Sequence, residues 1–164
     1  MFDSSIAPLS QSLKSLSAIL KKAEAHCEAG KIDPSALLSA RLFPNMFPLI
    51  RQVQVACDHA KGCGARLAGI PLPSFPDEEK TFAELRARIS KTLDFLGSLR
   101  REQLADSATR TVTIKIGGKD TEFKGAAYLS NVVLPNFYFH VATAYNILRH
   151  NGVELGKGDY LGRS

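Results

Sequence analysis

The sequence predicts an all-α protein: a four-helix bundle with a small β-hairpin between its third and fourth helices. Four long segments carry apolar residues at steps of three and four, as one face of a buried helix does. A proline-rich stretch at 69–76 separates the second segment from the third. Residues 111–116 alternate between apolar and polar, which is the period of a half-buried strand. The 164 residues have the length of one domain, so we expect a single domain over 1–164 with 152–164 as a C-terminal tail.

The first helix is predicted from its apolar stripe, which runs without interruption to Cys27. Gly30 is a plausible C-terminal stop, because glycine adopts the left-handed conformation that ends helices. Asp33 followed by Pro34 has the pattern of an N-cap and first helical residue, which predicts a short helix to about Ala40. The stripe consists of Ile6, Leu9, Leu13, Leu16, Leu20, Ala23 and Cys27.

The second long helix is predicted to begin near residues 44–46, with Asn45 as its N-cap. Pro48 fits only in the first turn, where its missing N–H is not needed. The small residues Gly62, Cys63 and Gly64 predict a place where another helix approaches closely. The proline-rich stretch then requires an extended connector, because prolines so close together cannot continue a helix.

The third helix has a predicted capping box, and a hairpin follows it. Thr81 and Glu84 have the spacing at which each side chain bonds the other residue's backbone N–H. After the alternating strand, Gly117 and Gly118 permit a tight turn, from which a second strand can return.

The fourth long segment is predicted over about 126–151. Pro135 lies inside it and removes a helical hydrogen bond to the carbonyl of Asn131. We therefore expect this helix to be kinked or split near residue 134.

Composition excludes several functional classes. The formal charge is +5, but the basic residues are dispersed and form no run, so we expect no nucleic-acid partner. No apolar run approaches the ~20 residues that span a bilayer, so we expect no membrane partner. Three cysteines are too few for a disulfide framework, which favours a cytoplasmic location.

A polar pocket at His140 is the sharpest site hypothesis. His140 lies on an apolar stripe, where a histidine is most simply a core residue with its hydrogen bonds satisfied. Asn136, one turn earlier, can point the same way, and Gln54 and Asp58 form an i,i+4 polar pair on the second long helix. We expect these four side chains to line a binding pocket. The other histidines have simpler interpretations, namely a solvated surface for His26 and His59 and the end of a helix for His150.

Four segments carry a resemblance to a known family. They are 41–54, 81–89, 134–152 and 156–162, and the last two are the most specific. In these segments the chain resembles an uncharacterised branch, a domain of unknown function, of the DinB/YfiT-like metalloenzyme superfamily. The similarity extends over essentially the whole chain.

The resemblance implies a four-helix bundle with up-down-down-up order, often assembled as a homodimer. It also implies a divalent metal, such as zinc or nickel, held by one histidine on helix two and an H-x-x-x-H pair on helix four. In this sequence the pair falls on Asn136 and His140, so His140 is the candidate metal ligand and the set is incomplete. We expect the apolar tail residues to suit a dimer interface; they are Val153, Leu155, Tyr160 and Leu161.

Two functional hypotheses follow. The first is a small-molecule or partner-binding module whose inherited metal site has degraded. The alternative is a metal- or thiol-dependent transferase or isomerase with its site at His140, since some members of the superfamily use low-molecular-weight thiols. The catalytic residues and the ligand cannot be named from the sequence.

Overall fold

Four long helices pack against one another and carry the remaining elements. The computed structural model describes residues 1–163. In chain order the elements are α1 (Phe2–Gly30), α2 (Pro34–Leu38), α3 (Leu49–Ala68), α4 (Phe82–Gly97), a 3-10 turn (Arg101–Leu104), β1 (Thr111–Ile116), β2 (Lys119–Lys124), α5 (Gly125–Tyr128), a π-helical segment (Leu129–Val133), α6 (Leu134–His150) and α7 (Lys157–Leu161). Residues 1–163 are therefore mostly helical, with one small antiparallel sheet.

The long helices surround one apolar core. α3 packs against α4 and α6, and α1 contacts α3, α4 and α6. The predicted apolar stripe of α1 is buried along its whole length. Gly64 allows the close approach that the sequence predicts, since a methyl group there would lie 2.8 Å from Cδ1 of Leu99 and 3.0 Å from Cδ2 of Leu96.

Two helix boundaries differ from the prediction. α1 ends through Lys31, which adopts the left-handed conformation (φ 51°), rather than through Gly30. α3 begins at Leu49, with Pro48 as its N-cap, and not near residue 45. Because a residue before proline is disfavoured in the helical region, Pro48 keeps Phe47 out of the helix.

The capping box and the hairpin turn form as predicted. Thr81 Oγ1 accepts from the N–H of Glu84 at 3.1 Å, and Glu84 Oε2 accepts from the N–H of Thr81 at 2.9 Å. Gly117 and Gly118 both have positive φ (57° and 82°), which the tight turn between β1 and β2 requires.

The predicted break in the last long helix is a change of helix type. The π-helical segment ends at Val133, and α-helical bonding resumes at Leu134, one residue before Pro135. A π-helical turn holds more residues than an α-helical turn. It therefore offers one way to accommodate a proline that cannot donate to a carbonyl in the preceding turn.

The expected free tail is instead folded onto the bundle. α7 packs on α1, and Lys22 Nζ lies 2.5 Å from Oδ1 of Asp159. Val153 and Leu155 are 1% and 4% exposed, so these two do not form the exposed surface that the sequence suggested. The last residue of the predicted tail, Ser164, lies outside the described residues. Within the described part of the chain, no helix has both the length and the apolar character needed to cross a bilayer.

Candidate functional site

His140 lies at the contact between α6 and α3 with a fixed ring orientation. Its side chain is buried, and Nδ1 lies 2.7 Å from Oε1 of Gln52. The Gln52 amide is itself oriented, because its Nε2 donates to the carbonyl of Phe47 at 3.0 Å. An amide oxygen can only accept, so Nδ1 of His140 carries the proton and Nε2 presents its lone pair.

His59 stacks on His140. The ring centroids are 5.7 Å apart and the planes make an angle of 17°. His59 is half-buried, which corrects its predicted place on the solvated surface. Gln52 and His59 are seven residues apart, which is two helical turns, so both point from one face of α3 toward α6. Sequence reasoning missed both residues, although this spacing was the available signal.

Both imidazoles are held in the neutral form. Burial, with help from His59 and the charge of Arg51, lowers the pKa of His140 to about 4. Burial also lowers the pKa of His59; Asp58 acts in the opposite sense and Arg66 in the same sense. Nε2 of His140 has no hydrogen-bond partner within residues 1–163, yet it is not fully buried. The pair therefore offers hydrogen-bond acceptors that remain available near pH 7.

The other predicted pocket residues bond to partners other than His140. Asn136 is exposed, and its Nδ2 donates to the carbonyl of Val132 at 2.6 Å. Gln54 Nε2 donates to Glu79 Oε2 at 2.8 Å. Asp58 accepts from Arg88 Nη2 at 3.0 Å. The polar pair Gln54 and Asp58 thus faces α4 and the connector, while Gln52 is the α3 residue that contacts His140.

The proline-rich connector is held by the buried guanidinium of Arg88. Its nitrogens contact the carbonyl of Pro76 at 2.9 Å and three carboxylates at 2.9–3.0 Å, which are those of Asp58, Asp77 and Glu79. Burial raises the pKa of Glu79, but hydrogen bonds from Gln54 and Arg88 outweigh it and lower the pKa overall. This cluster joins α3, α4 and the connector, and connector residues line a cleft beside His59.

Two open clefts flank His59 and share Arg66. One, of about 460 Å³, lies toward the connector, where Asp58, Lys61 and Phe75 line it. The other, of about 520 Å³, lies toward the hairpin and is also lined by Lys115, Asp120 and Tyr128. Both volumes fall in the range of about 300–1,000 Å³ that is usual for small-molecule sites.

The set of potential metal donors, namely the histidine, cysteine and carboxylate side chains, does not fit the three-histidine metal centre that the resemblance implies. Among residues 1–163, no group of three or more histidine, cysteine, aspartate or glutamate side chains comes together in a way that could hold a metal ion. Asn136, at the first position of the helix-four pair, offers only an amide, which is a weak ligand for zinc or nickel. Burial raises the pKa of the Cys57 and Cys63 thiols to about 12, so neither supplies a thiolate near pH 7.

Comparison with known families identifies the family of this chain. A family model described as a domain of unknown function, DUF1993, matches residues 1–161. The chain belongs to the DUF1993 family. Comparison with curated proteins gives no significant match.

A solved structure supports the same assignment and agrees with the resemblance seen in the sequence. It is the crystal structure of a DinB family member from Shewanella denitrificans, to which this DUF1993 chain is 45% identical. The two superpose with a TM-score of 0.90 over 98% of this chain and 91% of the other. The resemblance to an uncharacterised DinB-like branch is therefore confirmed.

Proposed function

We propose that this DUF1993 protein is a small-molecule-binding module whose ligand contacts the paired imidazoles of His59 and His140. The observation that carries the proposal is the hydrogen bond from His140 Nδ1 to Gln52, which leaves the Nε2 lone pair without a partner among residues 1–163. The clefts of ligand size are lined by His59, on which His140 stacks. A free acceptor at this pair suits a neutral hydrogen-bond donor, such as a hydroxyl or an amide N–H.

Binding is favoured over the alternative of a transferase or isomerase at His140. A general base works best when its pKa lies near the working pH, whereas the pKa of His140 is lowered to about 4. An inherited metal centre would also need a third strong ligand in place of Asn136. A degraded metal site with a retained ligand pocket fits these contacts better.

The order of the four long helices, the cellular location and the oligomeric state are part of the same proposal. Up-down-down-up order of the four long helices is what the resemblance to the DinB-like branch implies. A cytoplasmic location agrees with three buried, free cysteines. For a homodimer, the tail leaves Leu161, which is 37% exposed, and the half-buried Tyr160 as candidate contacts, and light scattering measures the assembly directly.

A neutral probe tests the proposed function. 3-Hydroxybenzamide carries a phenolic donor and no charge, and we expect it to shift the Nε2 resonance of His140 in long-range ¹H–¹⁵N spectra. The His140→Ala variant should lose the binding, while His150→Ala, which removes an exposed histidine at the end of α6, should keep it. Binding that is unchanged in His140→Ala, or no binding to the wild type, would contradict the proposal.

A further inference from the structure

Arg66 is a half-buried cation that no carboxylate within residues 1–163 neutralises. Its Nη1 donates to the hydroxyl of Tyr128 at 3.2 Å, and it takes part in no ion pair among the described residues. The two carboxylates that line the flanking clefts already have cationic partners. Asp58 pairs with Arg88 and Lys61, and Asp120 pairs with Lys115 at 3.0 Å.

The absence of a side chain at Gly62 gives this guanidinium its position. Arg66 extends back along α3 toward the helix N-terminus, as helical side chains do, and passes over Gly62. A methyl group at residue 62 would overlap with Nη1 of Arg66 and would lie 4.0 Å from the Tyr128 hydroxyl. The guanidinium thereby lies over Gly62, one helical turn along α3 from His59, and Arg66 and His59 both line the hairpin-side cleft.

Tyr128 adds a second donor at the same point. Its hydroxyl accepts from Arg66, and its own hydrogen has no acceptor among the described residues. Arg66 and Tyr128 can therefore both donate to one oxyanion in the hairpin-side cleft, where Lys115 adds positive charge and Asp120 partly offsets it. Charge-assisted hydrogen bonds of this type are stronger than neutral ones.

We propose that the ligand carries a carboxylate, which Arg66 and Tyr128 bind in the hairpin-side cleft while a donor group of the ligand reaches the His59–His140 pair. The second half of this statement rests on the proposed function. A small aromatic or aliphatic acid that also carries a hydroxyl is the chemical class that this arrangement favours.

The test compares two probes of equal shape, 3-hydroxybenzoate and 3-hydroxybenzamide, by NMR titration of the full chain. We expect the carboxylate to bind at least about tenfold more tightly, which is the scale of one charge-assisted hydrogen bond. Gly62→Ala should remove this preference, because it displaces the guanidinium but keeps its charge. Since alanine favours a helix more than glycine does, this variant should remain folded. Tyr128→Phe should weaken the binding of 3-hydroxybenzoate. Arg100→Gln, which changes an exposed arginine outside the cleft, should leave the affinity for both probes unchanged.

The outcomes separate this inference from the proposed function. A carboxylate preference that persists unchanged in Gly62→Ala and in Arg66→Gln overturns the anion site, as does equal affinity for the two probes. If Arg66→Gln abolishes the preference for the carboxylate and His140→Ala does not change the binding of either probe, the anion site is supported and the histidine site is contradicted. If His140→Ala weakens the binding of both probes equally while Arg66→Gln weakens the binding of neither, the histidine site is supported and the anion site is contradicted.

Discussion

Gln52 and His140 form the contact on which the candidate site depends. Oε1 of Gln52 and Nδ1 of His140 are 2.7 Å apart, and the bond crosses from α3 to α6 within a buried environment. Because the amide is anchored on the carbonyl of Phe47, it fixes both the ring orientation and the tautomer of His140. His59 stacks on the same ring, with the two planes 17° apart.

Acid should destabilise the protein through His140 before it affects the carboxylates. The folded-state pKa is about 4 against an ordinary value of 6.5, so below pH 6.5 the unfolded chain binds the proton more readily. The contribution of His140 to stability is thus complete above pH 6.5 and is lost as the pH falls from 6.5 to 4. Urea unfolding at a series of pH values measures this, and His140→Gln should flatten the slope in that window. An unchanged slope would show that His140 does not titrate as described.

A negative charge at residue 52 should favour the charged form of His140. In Gln52→Glu a carboxylate would replace the amide oxygen beside Nδ1, which favours the imidazolium form and raises the pKa of His140. Histidine NMR titration follows the change. Gln54→Glu is the matched control, since Gln54 contacts Glu79 rather than His140, and its effect on His140 should be much smaller. Equal effects of the two variants would contradict the assigned contact.

Loss of Arg88 should release the connector. Arg88→Met leaves three carboxylates without their shared cation, and we expect about 2–4 kcal/mol of lost stability, discounted for the partial exposure of Asp58 and Asp77. Residues 70–80 should also become sensitive to proteolysis. Arg86→Met is the control, because its ion pair with Glu24 is about one-third exposed and is expected to contribute about 0–1 kcal/mol. Similar losses in the two variants would count against a special role for Arg88.

A histidine introduced at residue 136 should create zinc affinity. Asn136→His would complete the i,i+4 pair with His140, with His59 as the nearby third imidazole. We expect zinc to bind this variant at least about tenfold more tightly than the wild type in calorimetric titrations. Addition of His140→Ala should abolish the gain. Stoichiometric, tight zinc binding by the wild type itself would contradict the account of the donor set.

The helices were predictable because local patterns determine them. The stripes of α1 and α4, the capping box at Thr81 and the glycine turn at 117–118 all follow from residues close together in the chain. The start of α3 was missed because the effect of Pro48 on Phe47 outweighs the capping tendency of Asn45. The tail was missed because its folding depends on packing against α1 and on burial of Val153 and Leu155, and α1 is far away in sequence.

The site was only partly predictable for the same reason. His140 stood out because a histidine on an apolar stripe needs a partner, but the choice between Gln52 and Gln54 depends on how α3 is rotated against α6. Gln54 faces Glu79 and Arg88 because the connector folds back over α3, and nothing local to residue 54 encodes that path. His59 likewise needed the position of α6 to become more than a surface residue.

The state of the His140 ring tests the central claim most directly. Long-range ¹H–¹⁵N spectra at pH 7 distinguish a protonated nitrogen from one with a free lone pair, and we predict a neutral ring with the proton on Nδ1. On addition of 3-hydroxybenzamide, the Nε2 resonance should move while that of His150 does not. A charged ring at pH 7, a proton on Nε2, or a ligand that leaves Nε2 unmoved would contradict the assignment of this pair as the binding site.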